Sequence, residues 1–146
     1  MPPRVHFAGR GSGQRAFTLI EVLVVTIIIG VLAAIAIPRY SASKARAHTA
    51  VMKSDLRNLA STQATWHDST RTFTAGTAIN RGSTQQTIGV SPAFRVSPGV
   101  ELVVTVAGPN GWSAVATHTA TSRTCAIFIG TAAVAPATSE GAPGCD

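Results

Sequence analysis

The residues from Leu19 to Ile37 read LIEVLVVTIIIGVLAAIAI, and they form the longest apolar stretch of the chain. Glu21 is the only ionisable residue among them, and Thr26 is the only other clearly polar one. As an α-helix, a stretch of 19 residues is roughly 28 Å long, close to the hydrocarbon thickness of a membrane. Its apolar side chains cover all sides of that helix. The stretch therefore predicts one membrane-spanning helix.

The flank before this stretch is basic. It contains Arg4, Arg10 and Arg15, and no acidic residue precedes Glu21. Basic flanks stay in the cytoplasm, so the rest of the chain is expected on the other side of the membrane. A secretory signal peptide is the alternative, since the small residues within positions 33–36 offer a cleavage site. The apolar stretch is longer than such signals usually have, and no small-residue site follows it.

Glu21 is the unusual residue of the stretch. A carboxylate costs about 2.5–3.5 kcal/mol at the centre of a bilayer and less near its surface. One interpretation is that Glu21 lies at headgroup level, where the helix dipole stabilises a negative charge near the N-terminus. The other is that Glu21 has a specific partner, and the residues around it favour this second interpretation.

Residues 15–22, RAFTLIEV, resemble the signature of type IV pilins and type II secretion pseudopilins. In that family a membrane peptidase cleaves after a small residue and methylates the amino group of the new N-terminal Phe. The resemblance implies cleavage between Ala16 and Phe17, N-methylation of Phe17, and removal of residues 1–16 as a leader. Ala16 departs from the usual Gly at its position. The apolar helix, unlike a signal peptide, would remain in the mature chain.

The resemblance continues to about residue 45, because the family also has a Gly and a helix-bending Pro that correspond to Gly30 and Pro38. It implies that residues 17–38 anchor the chain in a membrane before assembly and form the core of a filament afterwards. Glu21 would then pair with the N-terminal amine of a neighbouring subunit, which offsets the cost of burying both charges. The helix between Gly30 and Pro38 is expected to melt in an assembled filament.

The part of the chain that follows the apolar stretch is called the head. The segment after Pro38 predicts an amphipathic helix over residues 39–67 that packs on the rest of the head. Its inward stripe consists of residues at alternating spacings of four and three: Ala45, Thr49, Met52, Leu56, Leu59, Gln63 and Trp66. Its basic residues are expected on a solvated face or in contacts between subunits: Lys44, Arg46, Lys53 and Arg57.

The remaining residues predict a loop and then a sheet. Residues 68–99 correspond in position to the variable loop of pilins, with Phe73 and Ile79 as the main apolar anchors. Residues 100–146 have the alternation and turn residues of an antiparallel sheet. Strands are expected at Val100–Val106, Trp112–His118 and Thr124–Ile129, with a turn at residues 108–111. The expected fold class is α+β: a long N-terminal helix, transmembrane in its first half, packed on a small antiparallel sheet.

The only two cysteines, Cys125 and Cys145, lie near the C-terminus. A bond between them would close a loop of about 20 residues and contribute about 3 kcal/mol of stability in the loop-entropy description. An exported chain favours this bond, because it would reside in an oxidising compartment, and two free thiols are the alternative. The bonded form resembles the disulfide-bounded C-terminal region of pilins.

The head contains no recognisable pattern for catalysis or metal binding. His48, His67 and His118 are far apart in the sequence and lack the close pairing that is typical of zinc sites. No serine has a G-x-S-x-G context, and there is no Gly-rich phosphate loop. The acids of the head form no calcium-binding loop: Asp55, Asp68, Glu101, Glu140 and Asp146. We therefore predict no enzyme activity, no cofactor and no metal.

The formal net charge of +6 could indicate nucleic-acid binding. Three of the basic residues precede the expected cleavage point, however, and counting from Phe17 leaves nine Lys/Arg against six Asp/Glu, a balance of +3. These nine are spread singly along the chain, so a phosphate-tracking patch and hence DNA binding are only weakly indicated.

These features predict a structural subunit, major or minor, of a type IV pilus. The expected partners are identical or related pilin subunits, a prepilin peptidase and methyltransferase, and an inner-membrane assembly platform. The chain is expected in the bacterial inner membrane with its head in the periplasm, and in an extracellular filament after assembly. The alternatives are a type II secretion pseudopilin and a non-polymerising, membrane-anchored minor pilin that binds surfaces or DNA.

Overall fold

The computed structural model describes residues 17–89, 93–106, 110–130 and 132–146. The predicted leader, with Ala16, and the first half of the predicted turn at residues 108–111 lie outside the described residues. The chain divides into two compact units, Met1–Arg39 and Tyr40–Asp146. The second unit is called the head below.

A single helix, α1 (Leu19–Thr70), contains both segments that the sequence predicts to be helical. It ends at Thr70 rather than at residue 67, and it continues through Pro38. Proline is poorly tolerated inside a helix because it has no amide hydrogen to donate. In the first unit the large apolar side chains of this helix, from Leu19 to Ile37, are 47–83% exposed. Among the described residues, this part of α1 therefore has no apolar core to pack on.

The head contains a six-stranded antiparallel sheet in the order β2-β1-β3-β4-β5-β6. Its strands are β1 (Gly76–Arg81), β2 (Thr84–Gln86), β3 (Val100–Val106), β4 (Trp112–His118), β5 (Thr121–Ile129) and β6 (Gly144–Cys145). The predicted hairpin of β3 and β4 is confirmed, with Val103 opposite Val115. The third predicted strand is present as β5, which begins at Thr121 rather than at Thr124.

The core of the head lies between α1 and one face of this sheet. Along β4 every second residue is buried, because successive side chains of a strand point to opposite faces. The buried cluster combines helix and sheet residues: Met52, Leu56, Leu59 and Trp66 with Val100, Leu102, Val104, Trp112, Ala114 and Ala116. Five residues of the predicted inward stripe are buried: Met52, Leu56, Leu59, Gln63 and Trp66. The α+β fold class is confirmed.

The structure differs from the sequence analysis within residues 68–99, where a loop is expected and the hairpin of β1 and β2 is found. The strands are joined by Gly82-Ser83, and Gly82 has a φ of 57° that suits glycine. Among the residues of β1 and β2 only Ala78 is buried. The hairpin therefore lacks the apolar alternation by which strands are recognised.

The C-terminal residues return to the sheet as β6, which pairs with β5 so that Cys145 lies opposite Cys125. These two cysteines form a disulfide bond, as the sequence predicts. The last residue continues this attachment, since the amide of Asp146 donates to the Thr124 carbonyl over 3.2 Å. The tail after β5 is therefore fixed to the sheet at its far end.

Candidate functional site

Glu21 lies in the first turn of α1 and is bonded to Thr18, the residue that precedes the helix. The amide and hydroxyl groups of Thr18 both donate to Glu21 Oε2, over 2.9 Å and 2.8 Å. The amide of Glu21 donates in return to Thr18 Oγ1 over 3.3 Å. All three bonds are exposed at the helix end.

This arrangement is a capping box, in which the residue before a helix and the third helical residue satisfy each other's free amide groups. It holds the Glu21 carboxylate in place and starts the helix at Leu19. Thr18 is not among the site residues predicted from the sequence. The spacing Thr-x-x-Glu before an apolar run is the signal that indicates it.

The surface around Glu21 is apolar and open. Phe17 is 84% exposed, and two shallow grooves of about 270 and 410 Å³ lie beside the carboxylate. The grooves are lined, apart from Glu21, by Phe17, Ile20, Val22, Val24, Val25 and Thr26. A carboxylate surrounded by exposed apolar side chains on a regular helix can be covered by lipid or by the helix of another molecule.

Gly30 and Pro38 mark the other predicted feature of this helix. A methyl group added at Gly30 would meet no atom within 4 Å, so packing within the chain does not require a glycine there. The helix is continuous through both positions. Melting between them in an assembled filament stays a prediction.

Within the described residues, α1 is the one helix long and apolar enough to cross a membrane. None of the residues of its most apolar window is buried by the part of the protein that the structure describes. A core helix of a soluble protein would bury most of such a window. The length and exposure of this segment therefore fit a lipid or helix-packed environment.

In the head, two polar side chains on the buried side of α1 bind the segments that cross it. Asp55 is 5% exposed and accepts hydrogen bonds from the amide and hydroxyl of Ser97 over 2.8 and 2.9 Å. Gln63, fully buried, exchanges two bonds with the backbone of Thr74. The sequence analysis treats Asp55 only as a scattered acid, because its partner is 42 residues away.

The structure also brings together two histidines that the sequence analysis treats as separate. The ring centroids of His48, on α1, and His118, on β4, are 4.1 Å apart. His118 is buried, and its Nδ1 accepts a hydrogen bond from the Ala120 amide over 3.0 Å. Burial lowers the pKa of His118, and His48 and Arg81 lower it further, whereas a hydrogen bond with the backbone of Pro98 acts in the opposite direction.

An apolar groove of about 320 Å³ lies in the head where α1 meets the sheet, and it contains a stacked pair formed by His67 and Phe73, 4.5 Å apart. Its other lining residues are Ala60, Ala64, Asp68, Trp112 and Ile129. In the part of the chain that the structure describes, no group of three or more His, Cys, Asp or Glu residues is placed to hold a metal ion.

A comparison with protein-family models matches residues 11–37 to the prokaryotic N-terminal methylation motif. The match covers 27 residues, counted from 11 to 37, of the 146. This motif is the signature of type IV pilins and pseudopilins, which are structural proteins rather than enzymes, and the resemblance stated from the sequence is thereby confirmed. The motif implies processing by a prepilin peptidase and assembly into pilus-like filaments.

Proposed function

We propose that this protein is a structural subunit of a type IV pilus, held in the inner membrane by residues 17–38 until it enters a filament. The observation that carries the proposal is an apolar segment of α1 with no buried residue in its most apolar window and a single acid in its first turn. The exposed apolar surface requires lipid or other helices around it. Glu21 favours the environment of other helices over lipid, because the N-terminal amine of a neighbouring subunit can compensate its charge there.

The proposal assigns a role to four residues of the motif: Ala16, Phe17, Thr18 and Glu21. Cleavage between Ala16 and Phe17 creates the amine, and methylation of Phe17 preserves its positive charge. Before assembly, Thr18 satisfies the Glu21 carboxylate within the same chain. In the filament, the amine of a neighbouring Phe17 supplies a partner of opposite charge, which offsets the cost of burying both charges.

Substitution of Glu21 tests this proposal. Glu21→Ala removes the carboxylate, and we expect incorporation into filaments to fall at least about tenfold, since the loss of one partner of a buried ion pair costs about 3–5 kcal/mol. Glu21→Gln keeps hydrogen-bonding atoms for Thr18 but has no charge. It should also incorporate poorly if the charge, rather than the cap, is required.

The measurement is the ratio of variant to wild-type subunits in filaments purified from cells that produce both. The melting temperature of the head serves as the control, and it should be unchanged in both variants. Filaments that contain Glu21→Ala subunits at the wild-type level would contradict the proposal.

Mass spectrometry of the mature protein tests the processing steps separately. The expected chain starts at an N-methylated Phe17 and is two hydrogens lighter than the reduced chain because of the Cys125–Cys145 bond. A mature chain that starts after residue 36 would instead identify residues 33–36 as a secretory cleavage site. It would also lack the helix on which assembly depends.

A further inference from the structure

The segment that follows the apolar stretch is strongly cationic. Residues 38–54 contain Arg39, Lys44, Arg46 and Lys53 and no acidic residue. In the proposed orientation this segment lies on the exported side of the membrane, where Lys and Arg are normally depleted. Removal of residues 1–16 would also eliminate the leader's cations on the opposite side. An anionic partner on the exported side would therefore stabilise the cations that remain in the mature chain.

Three residues of this segment form what we call the collar: Tyr40, Lys44 and Arg46. All three are exposed, Tyr40 to 63%. Lys44 Nζ lies 4.9 Å from the centroid of the Tyr40 ring, a cation–π distance. In the part of the chain that the structure describes, neither Lys44 nor Arg46 has a carboxylate within ion-pair distance. Their N–H donors are thus available to an external ligand.

The position of the collar fits the polar surface of a membrane. Tyr40 follows Ile37, the last residue of the apolar stretch, by three residues. From Tyr40 to Arg46 the helix rises about 9 Å, comparable to the headgroup layer of one leaflet, about 5–8 Å. Tyrosine is enriched at this depth, with its ring at headgroup level. The Lys44 ammonium, next to that ring, would lie at the level of the phosphates.

The arrangement around the helix also indicates lipid rather than a flat protein surface. Lys44 and Arg46 are two residues apart, so they project about 200° from each other around the axis. A single flat partner could contact only one of the two cations. Headgroups surround a membrane helix on every side and can contact both.

In a second copy of the head, most acids already have a hydrogen-bond or ion-pair partner within their own chain. Asp55 is bound to Ser97, and Glu101 is paired with Arg81 at 3.0 Å. The two acids nearest the C-terminus each accept a hydrogen bond from a backbone amide: Glu140 from Gly130 and Asp146 from Thr124. This leaves Asp68, at the far end of α1, as the exposed acid of the described head without such a bond.

We propose that the collar binds the phosphate headgroups of anionic phospholipids, of the phosphatidylglycerol class, at the exported face of the membrane. The proposal rests on the membrane storage stated under Proposed function and adds a lipid preference to it. The bound lipids set the depth of the stored subunit. A subunit that enters a filament must exchange them for protein contacts, so the collar opposes extraction until assembly supplies those contacts.

The test uses the purified full-length chain in phosphatidylcholine vesicles that contain about a third phosphatidylglycerol, where each cation near the surface attracts anionic lipid. Spin-labelled versions of each lipid report, by electron paramagnetic resonance, the relative association of the two lipids with the protein. We expect the wild-type chain to prefer phosphatidylglycerol about threefold or more. In the double variant Lys44→Gln/Arg46→Gln this preference should fall at least about twofold.

The matched control is Lys53→Gln/Arg57→Gln, which removes the same charge from the same helix. Lys53 is 13 residues beyond Tyr40, or about 20 Å along the helix, so this variant should keep the wild-type preference. An unchanged preference in the collar variant, or an equal loss in both variants, overturns the proposal. Normal lipid preference with poor filament incorporation of the collar variant would instead assign these cations to contacts between subunits.

Extraction at alkaline pH separates the failure of this proposal from that of membrane storage. A wild-type chain that is released from the vesicles is not anchored, and both proposals are then wrong. A chain that stays integrated but shows no collar-dependent lipid preference contradicts only the collar.

Discussion

The parts of α1 before and after Arg39 both contain large apolar side chains, but these side chains have opposite surroundings. Leu32 is 63% exposed, whereas Leu59, on the same helix, is fully buried in the head. In the head, the buried polar groups Asp55 and Gln63 have hydrogen-bond partners within the chain. The apolar side chains from Leu19 to Ile37 have no such enclosure. The head therefore forms its own apolar interior, whereas the described residues of the first unit form none.

The largest effect expected from this comparison concerns the two leucines. Leu59→Ala should lower the free energy of unfolding of the head by about 2–5 kcal/mol, because it leaves a cavity in the buried cluster. Leu32→Ala removes the same atoms from an exposed position and should change that free energy by less than about 0.5 kcal/mol. Denaturant unfolding in detergent, followed by the fluorescence of the buried Trp66 and Trp112, measures both changes. Equal losses would mean that residue 32 belongs to the folded core of the head.

The same difference explains how much could be predicted from the sequence. The first unit depends on local signals, an apolar run and an eight-residue motif, so its helix and the position of Glu21 followed from the sequence alone. The strands β3, β4 and β5 were also predictable, because they alternate apolar and polar residues or contain runs of apolar ones. The hairpin of β1 and β2 was not, since its mostly polar residues carry no such pattern.

Most of the contacts that hold α1 against the rest of the head could not be predicted from the sequence. The bond from Asp55 to Ser97 joins residues 42 positions apart, and the contact of His48 with His118 joins the helix to β4. Neither residue pair carries a local sequence pattern. The cap at Thr18 is different, because its Thr-x-x-Glu spacing is local and could have been recognised.

A medium effect is expected from the polar contact that closes the head over α1. Asp55→Ala leaves the partly buried amide and hydroxyl of Ser97 without their acceptor, and the loss of such an acceptor costs up to about 1–3 kcal/mol. Asp55→Asn keeps an acceptor oxygen and should lose less. The melting temperature of the head, measured by circular dichroism, gives the order of the variants.

Asp68→Ala is the control for this prediction, since Asp68 is an exposed acid on the same helix. Substitutions at such positions usually change stability by no more than about 0.5 kcal/mol. If Asp55→Ala and Asp68→Ala melted at the same temperature, the contact with Ser97 would not contribute to the stability of the head.

The smallest effect is a dependence of head stability on pH that originates at His118. Its pKa in the folded head is lower than the ordinary histidine value of about 6.5. The unfolded chain therefore binds a proton more readily than the folded one. The free energy of unfolding of the head therefore has its full value above about pH 6.5. It decreases as the pH falls from there toward the folded pKa of His118, by at most about 1.4 kcal/mol per pH unit.

His118→Asn should remove this dependence while keeping an acceptor for the Ala120 amide, so its stability should fall less than that of the wild type between about pH 7 and about pH 5. The difference in slope between the two proteins therefore measures residue 118 together with its electrostatic coupling to His48. His67→Asn, which leaves the contact of His48 with His118 intact, is the control for the loss of a histidine elsewhere in the head. If His118→Asn kept the wild-type slope, protonation of His118 would not oppose folding, and the buried ring would act only as packing between α1 and the sheet.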